Sequence, residues 1–208
     1  SSFGLSWRIP AGSVGKFPVA IGWYHDGAAT GGLRTVYGHT RLWRDLGEVL
    51  DAALAHAPKA WETASARDSE LESVAISSER KWMLAHSTRS YFGSQQVLSG
   101  PGGEPVCVVN EGEYCMMNTL DLSVDQAFFE AKFFPWFTRE VLDLSADRHS
   151  FVDELKVPGD TRIHSGGVSF CHDMGVRNQF SSVGNSSYEM PDLEGCFSHM
   201  TFEQACNW

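Results

Sequence analysis

The hydrophobic pattern of residues 108–137 changes from strand-like to helical, and this change limits the folds that the chain can adopt. The stretch CVVNEGEYCMMN has strand-like ends around Gly112, which predicts an extended or bulged run. The next stretch, SVDQAFFEAKFF, opens with a capping box from Ser123 to Gln126 and predicts the start of a helix. Pro135 ends that helix and suits the first turn of a further helix, PWFTREVLDLSAD. The sequence therefore predicts a strand, a turn and two helices in succession.

The rest of the chain divides into three predicted parts. Residues 1–33 have short alternating apolar runs broken by Gly and Pro, a pattern typical of strands. So short a piece is not a stable sheet by itself, so it predicts the end of a β domain. From Val36 onward the apolar spacing is helical, and residues 34–76 are predicted to form a helical linker. Residues 77–208 are predicted to be mainly helical, with residues 150–198 as a long functional loop rich in Gly, Ser and Pro.

Charge and cysteine spacing argue against several kinds of protein. The 26 acidic residues exceed the 16 basic ones, and the basic residues are scattered, so binding to nucleic acid or to an anionic membrane is not expected. The five cysteines are irregularly spaced without a C-x-x-C pair, which is typical of a reduced cytosolic protein with buried thiols rather than of a disulfide frame or a zinc ribbon. The chain starts without methionine and ends within a helical pattern, so we expect both ends to be cut.

Several acidic residues lie close together among apolar neighbours, namely Glu111, Glu113, Asp121 and Asp125. Spacing alone favours two exposed glutamates in a loop. It also favours a position for Asp125 in the first helical turn, where a negative charge suits the helix dipole. A carboxylate embedded beside the flanking valines and methionines would instead be desolvated and its pKa displaced, as in many catalytic sites. Asp121 precedes the predicted helix start and has no comparable structural explanation.

His172 and Asp173, in SGGVSFCHDMGV, form a second candidate pair. A single His-Asp pair is more often a satisfied loop pair than a site. Zinc would require further ligands, for which His164 and His199 qualify only by residue type, and the G-x-S-x-G motif of a serine hydrolase is missing. No metal or cofactor is therefore predicted. Asn118 and the threonine after it are predicted to hold a loop through bonds from side chain to backbone.

Four motifs taken together carry a family resemblance. They are HSTRSYFG, VVNEGEYCMMNTLDLSVDQAFFEAKFFPW, GGVSFCHDMGV and SSYEMPDLEGCFSHMTFEQACNW. From about Glu79 to Trp208 the chain resembles glycoside hydrolase family 52, the retaining β-xylosidases, while residues 1–76 match only loosely. The E-G-x-Y-x-M-x-N-T-x-D core and the H-D-x-G turn are also similar to family 116, which includes β-glucosidases and glucosylceramidases.

The resemblance implies an (α/α)6 barrel that follows a β-sandwich, with residues 77–208 forming the first half of the barrel. It implies that terminal β-linked xylose is released from xylo-oligosaccharides with retained configuration and without a cofactor. The nucleophile of the family corresponds to Glu111. The residues expected to bind the sugar or to support its binding are Asp121, His172, Asp173, Glu113 and Asn118. The general acid/base of the family would lie beyond Trp208, so the chain alone is expected to be an inactive fragment.

Two alternatives stay open at this point. The first is a β-glucosidase-like enzyme of family 116, since xylose and glucose differ by one hydroxymethyl group and much of the pocket wall would lie beyond Trp208. The second is a non-catalytic sugar-binding or interaction module, because the resemblance places the general acid/base of the family outside residues 1–208. Association of the full-length protein into homo-oligomers also stays open.

Overall fold

The computed structural model describes residues 6–112, 115–182 and 199–200. These residues divide into two compact units. One unit contains the residues up to Tyr24 together with Trp43–Ala75, and the other contains His25–Leu42 and the residues from Ile76 onward. In the described ranges, no helix combines the length and the apolar character needed to cross a membrane.

The first unit contains helix α1, Leu46–Ser73. The side chain of Asp45 caps this helix by accepting a hydrogen bond from Glu48 N at 2.9 Å. Pro58 lies inside the helix without ending it, and α1 buries none of its residues. The helical pattern predicted for the linker is thus confirmed over most of its length.

The strands predicted within residues 1–33 do not form in the described residues 6–29. In the described part of this segment, strand-like pairing is limited to two isolated bridges, one from Thr30 to Thr35 and one from Gly31 to Gln179. Alternating side chains such as Ile21 and Trp23 are exposed, so the pattern meets no apolar layer that would stabilise a sheet.

The second unit is built around an antiparallel sheet in the order β1-β2-β3-β4-β7-β8. Its strands are β1 (Val36–Tyr37), β2 (Gln95–Ser99), β3 (Pro105–Glu111), β4 (Met116–Met117), β7 (Gly175–Val176) and β8 (Gln179–Phe180). The centre of β3 is buried on both faces and forms the core with residues that include Leu98, Met117, Phe137 and Met174. The end of β3 is therefore fixed by the buried residues that precede it in the strand.

Three helices accompany this sheet: α2 (Ser78–Ser94), α3 (Leu120–Phe133) and α4 (Pro135–Arg148). Pro135 occupies the first turn of α4, as the sequence predicts. The capping box is wrong, because α3 begins before it, at Leu120. Ser123 is inside the helix, where its Oγ donates to the carbonyl oxygen of Thr119 at 3.1 Å.

The prediction of a mainly helical chain is only partly confirmed, since helices and strands are mixed. Residues 150–182 are not the predicted loop, because β5 (Ser150–Lys156) and β6 (Ile163–Cys171) pair over most of their length. Strand β9 (His199–Met200) pairs with β6 on its other edge. Pairing between these strands satisfies backbone N–H and C=O groups in a segment whose Gly- and Ser-rich composition predicted a loop.

Candidate active site

Glu111 is the last residue of β3 and lies half-buried at the end of the sheet. Its partner in the register is Met116 of β4. Gly112 follows with φ of +43°, a left-handed conformation that turns the chain away from the strand. The carboxylate of Glu111 accepts a hydrogen bond at Oε2 from Thr119 Oγ1, at 3.0 Å. The side chain that the resemblance implies as nucleophile is therefore anchored next to the start of α3.

The start of α3 also brings Asp121 and His172 together. Leu120 N donates to the carbonyl oxygen of His172 at 2.8 Å, which ties the first turn of the helix to the segment after β6. Asp121 lies in that first turn, where a negative charge suits the helix dipole. Asp121 Oδ1 is 3.8 Å from His172 Nε2, and half of the Asp121 side chain is exposed. A ligand at this edge can therefore reach the carboxylate.

The buried carboxylate of Asp173 forms a hydrogen bond with the ring of His172. The Asp173 side chain is fully buried, and its Oδ1 accepts from Gly175 N at 2.8 Å. His172 Nδ1 donates to Asp173 Oδ2 at 3.1 Å. This hydrogen bond, with smaller contributions from the charges of Asp121 and Glu111, raises the pKa of His172 against the opposing effect of burial. The imidazole is thus stabilised as a cation among carboxylates.

The raised pKa of His172 makes stability depend on pH. Because the folded-state pKa lies above the ordinary value of 6.5, the stabilisation is fully present below that value and is lost as pH rises through the folded-state pKa. We expect the free energy of unfolding of wild-type protein to fall over that window, and His172→Gln to remove this part of the fall. Denaturant titrations across the window measure it, with exposed His56→Gln as the matched control. Identical profiles for wild type and His172→Gln would contradict the assignment.

Asn118 has a different position from the one expected for a sugar-binding residue. It is buried with φ of +50°, in the left-handed region that Asn tolerates better than most residues. Its Oδ1 accepts from Val109 N at 2.8 Å, and its Nδ2 donates to Cys107 O at 2.9 Å and contacts Met174 Sδ at 3.3 Å. The amide is used inside the fold and fixes the strands behind Glu111. Glu113 lies outside the described residues.

The described cysteines agree in part with the expectation of buried thiols. Within the described residues no disulfide joins Cys107, Cys115 or Cys171 to another cysteine, and the first and last of these are buried while Cys115 is partly exposed. Burial, with smaller contributions from the charges of Glu140 and Glu130, raises the pKa of Cys107 to about 12. Cys107 is therefore a core residue and not a reactive thiol.

Two cavities near α3 differ in size and in chemistry. A groove of about 720 Å3 between α3 and α4 is lined mostly by apolar side chains such as Val124, Phe128 and Leu142. The cavity beside Glu111 holds only about 10 Å3. The small cavity is lined by the carboxylate of Glu111 together with Thr119 and Ser123, whereas the accessible surface of the large groove is mostly apolar.

Sequence reasoning missed contacts between hydroxyl groups and carboxylates at two places, Thr119 and Glu130. Thr119 was assigned only a role in holding the loop, yet its hydroxyl contacts Glu111. Glu130 belongs to the stretch SVDQAFFEAKFF, for which the sequence predicts only a helix; it does lie in α3, but it is buried and accepts hydrogen bonds from Tyr91 and Thr138. The helical spacing of Glu130 beside aromatic residues was a signal for its burial. Spacing gave no signal for the contact of Thr119.

A half-buried carboxylate on a strand end, near an imidazole whose pKa is raised by neighbouring carboxylates, is suited to the hydroxyl groups and anomeric carbon of a sugar. The class indicated is that of the glycoside hydrolases. The family model for glycosyl hydrolase family 52 matches residues 1–208, and the chain belongs to this family.

Two curated relatives are beta-xylosidases from Geobacillus stearothermophilus. One is 44% identical over 200 residues, which cover 96% of this chain and 28% of the relative. The other is 45% identical over 175 residues, which cover 84% of this chain and 28% of the relative. The family resemblance inferred from the four motifs is thus confirmed. The aligned part of the chain spans little more than a quarter of the length of either relative.

Proposed function

We propose that the chain is part of a retaining, exo-acting β-xylosidase that releases xylose from xylo-oligosaccharides. The observation that carries the proposal is the carboxylate of Glu111, which accepts a hydrogen bond from Thr119 and interacts electrostatically with His172. His172 in turn lies beside Asp121 and Asp173. The 44% identity to a beta-xylosidase supports the choice of sugar. Because the aligned relatives are much longer, the activity is proposed for the whole protein and not for residues 1–208 alone.

Glu111 would act as the nucleophile. In a retaining glycosidase, one carboxylate attacks the anomeric carbon while a second acid roughly 5–5.5 Å away protonates the leaving oxygen. We propose that the general acid is supplied by a part of the whole protein outside residues 1–208, since the chain covers only 28% of each aligned relative. Asp121 would accept hydrogen bonds from sugar hydroxyls. His172, with Nδ1 bonded to Asp173, would donate a hydrogen bond from Nε2 in its protonated form and accept one there in its neutral form. No step in this scheme needs a metal or cofactor.

The remaining assignments follow from the family and extend the proposal to the domains. Residues 1–33 would close a β-sandwich, residues 34–76 would form the linker, and residues 77–208 would begin an (α/α)6 barrel. Glu113 would be a supporting acid near the nucleophile. Asn118 would support the site from behind, because its amide is used by Val109, Cys107 and Met174.

The test compares two substrates on the whole protein. We expect hydrolysis of p-nitrophenyl β-xyloside to be faster than that of the matching β-glucoside, with β-xylose as the first product seen by proton NMR. Retention is expected because two successive inversions at the anomeric carbon restore its configuration. Preference for the glucoside would favour a β-glucosidase, and hydrolysis of neither sugar would favour a non-catalytic module. Initial formation of α-xylose would contradict the retaining mechanism.

Asp121 can be tested against a second aspartate on the same helix. Asp121→Asn removes a charged acceptor from the proposed sugar site, so we expect kcat/KM for an aryl β-xyloside to fall about 10–100-fold. Asp125 is exposed and one turn further along α3, so Asp125→Asn is the matched control and should stay within about threefold of wild type. Equal effects of the two substitutions would contradict a binding role for Asp121.

A further inference from the structure

The hydroxyl of Thr119 is used in an uncommon way for its position. Thr119 is the N-cap residue of α3, where a threonine usually accepts a hydrogen bond from a backbone N–H of the first turn. Its side chain makes no such bond, and instead lies 3.0 Å from Glu111 Oε2. An ionised carboxylate can only accept, so the hydroxyl is the donor. The Thr119 hydroxyl therefore contacts Glu111 and does not cap the helix.

Thr119 is also held rigidly. It is buried, and its carbonyl oxygen accepts from both Ser123 N and Ser123 Oγ at 3.1 Å. A β-branched side chain has few rotamers, so the hydroxyl is fixed together with the backbone. This donor makes the two oxygens of Glu111 different. Oε2 is occupied, whereas Oε1 accepts no hydrogen bond from any residue that the structure describes.

We propose that Thr119 is a positioning residue that presents Oε1 of Glu111 to the anomeric carbon and assists the carboxylate when it leaves. The inference rests on the proposed role of Glu111 as the nucleophile. It assigns different tasks to the two oxygens, since Oε1 forms and breaks the bond to the sugar while Oε2 stays bonded to Thr119.

The two steps of the reaction make different demands on this hydrogen bond. In the first step, Oε1 bonds to the anomeric carbon, the bond to the leaving oxygen breaks, and that oxygen takes a proton from the general acid. Glu111 loses its negative charge, so the bond from Thr119 weakens. In the second step, a water oxygen bonds to the anomeric carbon and its proton passes to the conjugate base of the acid. The bond to Oε1 breaks and returns its electron pair to Glu111.

Charge returns to both carboxylate oxygens in the second step, so the hydrogen bond to Oε2 strengthens as the carboxylate departs. An interaction that strengthens on the way to a transition state accelerates that step, and one that weakens does not. Thr119 should therefore accelerate release of the sugar from Glu111 without accelerating its attachment.

The experiment measures both steps separately on the whole protein. An aryl 2-deoxy-2-fluoro-β-xyloside with an activated leaving group inactivates a retaining enzyme at the rate of the first step. Recovery of activity after its removal gives the rate of the second. We expect Thr119→Val to slow recovery about 10–100-fold, since a hydrogen bond to a charged group is lost. Inactivation should stay within about threefold of wild type. Thr119→Ser keeps the hydroxyl and should restore recovery.

A role of Thr119 in folding alone would slow both steps together, and that result, or no change in either step, overturns the proposal. If Thr119→Val does not fold, Thr119→Ala removes the same hydroxyl and is judged by the same two rates. Peptide mapping of the trapped wild-type enzyme separates this inference from the proposed function. A label on a residue other than Glu111 overturns both, whereas a label on Glu111 with unchanged recovery overturns only the role of Thr119.

Discussion

Glu111→Gly is expected to lower the hydrolysis of aryl β-xylosides by the whole protein about 10⁴–10⁶-fold, the range found when a nucleophile is removed. Glu111 ends β3, and its side chain is only half-buried, so its loss leaves the core of the sheet intact. Steady-state kinetics and thermal unfolding on the same samples separate lost activity from lost structure. The loss should therefore come from the chemistry of the carboxylate.

Azide tests whether the lost group is the nucleophile. The glycine substitution opens space on the face of the sugar from which Glu111 would attack. Added azide should enter there and restore reaction with an activated aryl xyloside, with the azide bonded to the anomeric carbon in the α configuration. Near-normal activity of Glu111→Gly without azide would show that another residue is the nucleophile. Glu113 would then be the first residue to replace.

The order of elements around Glu111 could be predicted, because each signal there is local. The extended run that was predicted forms as far as Glu111, and Pro135 begins α4 as predicted. The start of α3 could not be predicted in the same way. Ser123 and Gln126 satisfy the capping pattern, but the first N–H of the helix, on Leu120, is bonded by the carbonyl of His172. A partner this distant in sequence leaves no trace in a local pattern.

Strand pairing explains the larger error in residues 150–182. Their Gly and Ser content favours a loop, and composition does not record which segments pair with each other. The hairpin of β5 and β6 forms because Val152 meets Val168 and Ser150 meets Phe170 across the ladder. For the same reason, spacing could not bring His172 to Asp121. The family resemblance supplied those residues, and the contact between the start of α3 and the segment after β6 explains why they meet.

The second large effect is expected in the core, at Glu130. This carboxylate is only 4% exposed and accepts hydrogen bonds from Tyr91 Oη at 2.8 Å and from Thr138 Oγ1 at 2.5 Å. It therefore joins α2, α3 and α4 through one side chain. Burial, together with the bond to Glu130, holds the pKa of Tyr91 well above its ordinary value, so the phenol remains a neutral donor. The aromatic rings of Phe129 and Phe134 pack against Tyr91 and enclose the network.

Glu130→Ala would leave both hydroxyls without their acceptor and would open a cavity among the aromatic rings. Each buried hydroxyl left unpaired costs about 1–3 kcal/mol, so we expect the free energy of unfolding to fall by about 3–5 kcal/mol. Glu130→Gln keeps an acceptor oxygen and nearly the same volume, so its loss should be smaller, at about 1 kcal/mol.

The control for Glu130 is Asp143→Ala on α4, where an exposed aspartate lies 3.6 Å from Arg139. Exposed ion pairs contribute little, so this substitution should change the free energy of unfolding by less than about 1 kcal/mol. Denaturant unfolding of the whole protein measures all three variants, and hydrogen exchange of the α3 amides locates the effect. Equal losses for Glu130→Ala and Asp143→Ala would mean that the network does not hold the three helices together. Equal losses for Glu130→Ala and Glu130→Gln would mean that the negative charge, and not the acceptor oxygens alone, stabilises the core.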